Sequence, residues 1–311
     1  MKNKLIFFGT SEFGIPVLDE LRCAEYNIIA IVTSPDTPAG RNYELRKPPV
    51  KKWAERAGVK ILQPKDLNKE FVEELAALDA DVFIMAAYGK IIPKSVLNIP
   101  VHGTINIHPS MLPKYRGASP IQTAVLNGEQ ETGVTLILTD EQMDHGPIIA
   151  QEKTYIDDTD TNEILHQRLA SIAAKLIIRI LPNWIEGRIK PEEQIHTEAT
   201  YTKIIARQDG KIDWTKSAQQ INRMVHAYYP WPGTFTFLPE GKRLKILESE
   251  LLHEEFEYEP GTLFQAADGQ LGVKCGEKAI ILKKIQKEGS EAIDGKNFLN
   301  GHKNLIGVAL K

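Results

Sequence analysis

The first half of the chain alternates short apolar runs with amphipathic stretches, and that alternation narrows the fold to few choices. KLIFF (Lys4–Phe8), IIAIV (Ile28–Val32) and DVFIMAA (Asp81–Ala87) are apolar almost throughout. Such runs mark strands covered on both faces. Helical spacing predicts Glu12–Cys23 (with Ser11 able to cap it), Val50–Ala57, Lys69–Leu78, Ala118–Asn127 and Thr161–Ile185. Further strand signals fall at Val59–Leu62, Thr104–His108, Val134–Leu138 and Ile148–Ile156. Strand following helix following strand predicts an α/β fold, a doubly wound and mainly parallel sheet. After Lys190 the texture changes. Pro191–Arg207 is polar and without strong periodicity, a linker or an arm. Beyond it, short strand signals separated by turn residues, with one helix near Ala218–His226, predict a small β domain, sandwich or barrel. The expected division is residues 1–190, a linker at 191–207, and residues 208–311.

Charge and cysteine content exclude several classes of protein. The 38 basic and 41 acidic side chains leave a net charge of −3, so no global field draws nucleic acid; only local patches could. Cys23 and Cys275 lie far apart, which suggests neither a disulfide framework nor a zinc site. The N-terminal apolar run stops at Gly9, too short for a secretion signal, and no stretch approaches the roughly 18 apolar residues of a membrane span. The expectation is a soluble cytoplasmic protein.

The stretch TINIHPSMLPKYRGASP (Thr104–Pro120) carries the first candidate chemistry. Ile105 and Ile107 alternate with Asn106 and His108, so an extended chain turns the amide and the imidazole to one face. Pro109 ends the strand. Ligands of open α/β sheets bind beyond the carboxyl ends of the strands. Asn106 and His108 are placed there, and the loop TDEQMDHGP after Val134–Leu138, which carries Asp144, is read as lying at the same edge. An amide, an imidazole and a carboxylate form an acid–base and polarising set. Spacing alone leaves open a histidine making a structural hydrogen bond, with Asp144 an ordinary turn residue. Gly9-Thr10-Ser11-Glu12-Phe13-Gly14 lacks the middle glycine of a dinucleotide fingerprint, which disfavours a nicotinamide cofactor.

Two basic segments are candidates for a polyanion. The loop Thr33–Pro49 holds Arg41, Arg46 and Lys47, and reads equally as a solvated loop or as a contact surface. In the β domain Lys242, Arg243 and Lys245 cluster, as do Lys283, Lys284 and Lys287. From Arg207 to Lys311, however, 15 basic residues meet 14 acidic ones, so charge does not select an RNA-binding role over a structural one.

The segments FFGTSEFGIPVLDEL, INIHPSMLPKYRGASPIQ, TDEQMDHGPI, KIDW and YYPWPGTF resemble those of the 10-formyltetrahydrofolate-dependent formyltransferases. The motif Asn-x-His-Pro-Ser-x-Leu-Pro with a downstream Met-Asp is shared among members acting on ribonucleotides, sugar nucleotides and methionyl-tRNA. The match over the whole chain and the basic loop after the second strand favour the methionyl-tRNA branch. The resemblance implies transfer of the formyl group of 10-formyltetrahydrofolate to the α-amine of methionyl-initiator-tRNA. It implies Asn106, His108 and Asp144 as the catalytic set, and Ser110, Met111, Leu112 and Pro113 as the border of the folate. It implies tRNA contact by the Thr33–Pro49 segment, with Arg41, Arg46 and Lys47. The C-terminal domain would be an OB-like barrel presenting Lys242, Arg243 and Lys245. A Rossmann-like catalytic domain, a monomer and no membrane partner are expected. No metal is expected, since an amine is already a nucleophile. A sugar-nucleotide or ribonucleotide amine is the alternative acceptor. An RNA-binding protein that has lost catalysis is disfavoured because Asn106, His108 and Asp144 are all present.

Overall fold

The computed structural model describes residues 3–39 and 44–311. They form two compact units, one of residues 1–120, 131–155 and 166–203, the other of residues 121–130, 156–165 and 204–311. The elements of the first half run β1 (Lys4–Gly9), α1 (Gly14–Cys23), β2 (Asn27–Val32), β3 (Thr37–Ala39), β4 (Glu44–Arg46), α2 (Pro49–Ala57) and β5 (Lys60–Leu62). Then come α3 (Lys69–Ala76), β6 (Val82–Ala86), α4 (Lys94–Leu97), β7 (Thr104–His108), β8 (Arg116–Gly117), α5 (Pro120–Asn127), β9 (Glu131–Leu138), β10 (Ile148–Tyr155), α6 (Asn162–Ile185) and β11 (Tyr201–Thr202).

In the first unit seven strands make one sheet in the order β10-β9-β7-β6-β1-β2-β5. The five strands from β7 to β5 pair in parallel. The chain builds outward from β1 in one direction through β2 and β5, and in the other through β6 and β7. The reversal leaves a crevice at the carboxyl ends. Ile6, Phe8, Ala30, Val32 and Phe83 pack with Phe71 and Leu75 of α3 and Val96 and Leu97 of α4. Residues of the opposite parity, Leu5, Phe7, Ile31, Val82 and Ile84, are equally buried. Burial on both faces is why these runs have no polar alternation.

Three local expectations are revised. Strand β9 is antiparallel to β7, with Ile105 opposite Leu138 and His108 opposite Thr135. The loop after β9 therefore leaves from the edge where β7 begins, not from the carboxyl edge. An apolar run has the same pattern in either direction, so strand polarity was not in the sequence pattern. The loop is closed at its base by Leu138 N–H donating to Pro147 O at 2.9 Å. The Thr33–Pro49 segment, expected as loop alone, carries a short antiparallel ladder of β3 with β4, pairing Thr37 with Arg46. Pro38 is accommodated because a two-stranded ladder consists of edges. Ser11 accepts from the Phe13 N–H at 3.3 Å and shapes the turn into α1, without acting as its cap.

The second unit contains α7 (Ala218–Tyr228), β12 (Thr234–Phe237), β13 (Arg243–Leu252), β14 (Leu263–Gln265), β15 (Leu271–Lys274), β16 (Ala279–Lys287), β17 (Ala292–Asp294) and α8 (Gly295–Gly301). Ser217 and Gln220 form a capping box at the start of α7. The sheet order is β12-β13-β16-β15-β14, antiparallel throughout, with β17 added to β16. This half-barrel is bridged between its outer strands by the last residues of the chain. Phe237 and Lys311 exchange backbone hydrogen bonds at 3.0 Å each, while Leu263 N–H donates to Val308 O and Leu310 N–H to Gly261 O, both at 3.0 Å. Trp214, Ile221, Val225, Leu244, Ile246, Ile280 and Leu282 fill its core.

Candidate active site

The face of the sheet that carries Ile6, Phe8 and Phe83 also carries Asn106 and His108, because Asn106 lies beside Met85 in register. Helices α3 and α4 supply the packing toward β1 and β6. Over β7 and β9 the partners are two loops, residues 109–117 and 139–147. Thr135, directly opposite His108, faces the same way.

The three predicted polar groups meet. Asp144 Oδ1 accepts from Asn106 Nδ2 at 3.1 Å and lies 3.5 Å from His108 Nδ1. Its second oxygen, Oδ2, accepts from the backbone N–H of Gly117 at 2.8 Å. The side chains of His108 and Asp144 are 6% and 11% exposed, so water is largely excluded from the pair. The opposite ring nitrogen, His108 Nε2, is 2.9 Å from the carbonyl oxygen of Tyr115. A carbonyl only accepts, so Nε2 carries a proton and donates it there. In the neutral ring Nδ1 is then the open nitrogen, and it faces Asp144. A backbone carbonyl thus sets the tautomer of the neutral ring. Asp144 itself sits at φ 51° and Tyr115 at φ 62°. Both are left-handed conformations, uncommon outside glycine and taken more readily by an aspartate than by a tyrosine.

The residues expected to border a folate form a stiff wall. Leu112 N–H donates to Thr135 Oγ1 at 3.1 Å, and Thr135 donates to Ser110 O at 2.7 Å. Gln151 Nε2 donates to Leu112 O at 2.8 Å and to Thr135 Oγ1 at 2.9 Å. The Ser110 hydroxyl donates to Lys114 O at 2.7 Å. Ser110 and Leu112 are buried, so their polar groups serve the wall itself. Met111 and Pro113 are half-buried and hold the surface that a ligand could touch. The Leu112–Pro113 bond is cis.

The basic candidates are less uniform. Arg41 lies outside the described residues. Arg46 and Lys47 are exposed. Lys47 donates to Glu55 at 2.8 Å, and this bond raises its pKa above the ordinary lysine value. In the second unit Lys242, Arg243 and Lys245 are exposed. The Arg243 guanidinium lies over the Phe235 ring, 4.5 Å from its centroid. Among the described residues no group of three His, Cys, Asp or Glu is placed to hold a metal ion.

Sequence reasoning missed several supports. The carbonyl of Tyr115 and the N–H of Gly117 act through backbone and leave no side-chain signal. Gln194 and Arg116 are buried beside the loop that carries Asp144. Gln194 lies in a stretch without periodicity, so nothing set it apart. Arg116 stands inside a recognised motif, yet spacing gave no reason to bury it.

Residues 2–181 match the family model described as Formyl transferase, and residues 204–303 match Formyl transferase, C-terminal domain. A protein of Caldanaerobacter subterraneus named Methionyl-tRNA formyltransferase is 41% identical over 99% of this chain and 100% of its own length. One of the same name from Thermodesulfovibrio yellowstonii is 41% identical over 97% of each chain. Among solved structures, HypX from Aquifex aeolicus in complex with tetrahydrofolic acid aligns with a TM-score of 0.64 and 18% identity, over 98% of this chain and 48% of that one. An N-formyltransferase from Helicobacter canadensis in complex with folinic acid and dTDP-3-aminofucose aligns with a TM-score of 0.67 and 21% identity, over 92% of this chain and all of its own. At these identities the structural likeness concerns the fold.

Proposed function

The chain belongs to the formyl transferase family, and from that membership we propose that it formylates the α-amine of methionyl-initiator-tRNA with 10-formyltetrahydrofolate as donor, giving N-formylmethionyl-tRNA for translation initiation. The observation that carries the acceptor is the extent of the match. The relatives named for methionyl-tRNA are matched over both units and essentially their full length. Sugar N-formyltransferases share the fold at much lower identity.

The donor set suits a formyl group. Asn106 has a second amide N–H besides the one given to Asp144, and it can stabilise negative charge developing on the formyl oxygen. The folate supplies an activated formyl carbon. Met111 and Pro113 would lie against it, held in place by Thr135 and Gln151. His108 Nδ1, with Asp144 beside it, would take up the proton that the attacking amine releases as its nitrogen bonds the formyl carbon; the bond from that carbon to N10 of the folate then breaks, and N10 leaves with a proton in its place. An α-amine titrates at roughly 7.7–8.0, so part of it is already neutral at cellular pH. Positioning and charge stabilisation therefore matter more than a strong base.

The proposed division is residues 1–190 for catalysis, 191–207 as a linker of which 191–203 belong to the first unit, and 208–311 for tRNA binding, in a monomer working in the cytoplasm. No described helix is long and apolar enough to cross a membrane. Arg41, Arg46 and Lys47, with Lys242, Arg243 and Lys245, would meet tRNA phosphates. Replacing Lys242, Arg243 and Lys245 by alanine is expected to raise the KM for tRNA and flatten its dependence on salt, leaving the KM for the folate unchanged. The test of the function is a comparison of acceptors. Labelled 10-formyltetrahydrofolate is offered with charged initiator tRNA, or with small amines including amino sugar nucleotides. Label on methionyl-tRNA alone is the expected result. Label on a sugar nucleotide without tRNA would replace this reading with the alternative.

A further inference from the structure

Arg116 is 1% exposed, yet among the described residues its hydrogen-bond partners are an amide, an imidazole and a phenol, with no carboxylate. Its Nε and one terminal nitrogen donate to Gln194 Oε1 at 3.2 and 2.7 Å. The same terminal nitrogen reaches His196 Nδ1 at 2.9 Å, and the other donates to the Tyr201 hydroxyl at 3.3 Å. A buried guanidinium without a carboxylate is costly to keep. What it secures is the orientation of one amide. A guanidinium only donates, so Gln194 must turn its oxygen toward Arg116. Its Nε2 is then aimed the other way and donates to Asp144 O at 2.9 Å and Gly146 O at 2.7 Å.

The first of these carbonyls belongs to Asp144 itself, the residue at φ 51°, and the second lies two residues further along the same loop. The same loop is further braced by His145, whose ring stacks on His196 with centroids 4.0 Å apart and planes 3° from parallel. His145 also bonds Asp140 at 2.7 Å. The bracing segment is itself anchored. Glu192 and Ile148 exchange backbone bonds, and Tyr201–Thr202 pairs with Arg116–Gly117. Gly117 is the residue whose N–H holds Asp144 Oδ2. Residues 192–202 thus grip the Asp144 loop at its backbone, while β8 grips the carboxylate.

We infer that Gln194, oriented by Arg116, is a positioning residue for formyl transfer: it holds the main chain of Asp144 so that one carboxylate meets both Asn106 and His108. The inference rests on the proposed function. It predicts that loss of the Gln194 amide donor disturbs the chemical step more than the binding of either substrate.

Gln194→Glu is the informative variant. It keeps an oxygen for Arg116 and adds a charge partner, but it places carboxylate oxygen against the carbonyls of Asp144 and Gly146. Steady-state formyl transfer to methionyl-tRNA is measured first on the wild-type chain; failure there defeats the proposed function and not this inference. With wild-type activity in hand, the variant is expected to lose about 10- to 100-fold in kcat, since a displacement near 1 Å at a reacting group costs on the order of 100-fold. The KM values for folate and tRNA are expected within about twofold, and the His108 ring resonances are expected to move in the NMR spectrum, reporting the displaced Asp144. The double variant Arg116→Met with Gln194→Leu removes donor and acceptor together, which preserves folding better than removing one partner. It is expected to show the same kcat loss and decides the matter if Gln194→Glu does not fold. Wild-type kcat in the folded variant would overturn the inference. So would a loss carried by KM, or unmoved His108 resonances beside a fallen kcat.

Discussion

Asp144 accepts from Asn106 with one oxygen and from the Gly117 N–H with the other, and the first oxygen also faces His108. Each of these groups has a separate consequence. On the proposed mechanism Asn106→Ala removes the donor for the developing charge, and kcat is expected to fall about 100- to 1000-fold; stopped assays with the folded variant check this. Gly117→Ala acts on the backbone. Gly117 has φ 107°, and an added Cβ would meet Thr202 backbone and side-chain oxygens at 2.9 Å. The variant is expected to lose about 1–3 kcal/mol in urea unfolding, the scale of a strained backbone conformation, together with activity. At this scale the sequence was legible where side chains carried the signal. Asn106 and His108 followed from alternation along one strand, and Asp144 from its motif. The carbonyl of Tyr115 and the amide of Gln194 were not legible, because what they contribute is a backbone group and an orientation fixed by distant residues.

Among the elements, one hydroxyl takes part in three of the hydrogen bonds that hold the wall of residues 110–113. Thr135 is fully buried on β9 and serves Ser110 O, Leu112 N and Gln151. Thr135→Val keeps the shape and leaves those groups short of partners. The expected cost is about 1–3 kcal/mol for a buried group left unsatisfied, with a raised KM for the folate donor and a nearly unchanged KM for tRNA. Thermal unfolding and the two KM values check it. Most strands and helices were legible, because apolar runs and 3.6-residue spacing report burial directly. The direction of β9 was not, since VTLIL reads alike both ways. That direction places the Asp144 loop at the far edge and makes it fold back over β7. The short strand β17 and helix α8 also escaped notice. Their sequence, AIDGKNFLNG, shows turn residues before it shows periodicity.

For the whole molecule, each unit keeps a partly buried histidine whose pKa burial pushes below the ordinary 6.5. His166 lies edge-on to Phe13, and its pKa is lowered by burial against a weaker pull from Glu12. His226 is lowered by burial against opposing effects of Asp158 and Asp160. A histidine held neutral in the fold binds its proton more readily when unfolded. Its contribution is therefore present above pH 6.5 and is lost as pH falls through the lower folded value. The melting temperature is expected to decline below pH 6.5, and His166→Phe to shrink that decline. The second unit also depends on its last residues. Removing 308–311 deletes the bonds to Phe237, Gly261 and Leu263 and uncovers the core beside Leu310. Faster amide exchange in β12 and β14 than in β16 is expected.

The claim on which these expectations rest is that Asp144 gathers Asn106 and His108 into one reacting group for formyl transfer to methionyl-tRNA. The single-turnover rate of that transfer in Asp144→Ala, beside wild type and with the fold confirmed by circular dichroism, tests it most directly. A loss of about 100-fold or more is expected, on the scale of removing one preorganised electrostatic support. A folded Asp144→Ala protein that transfers formyl at close to the wild-type rate would contradict the account.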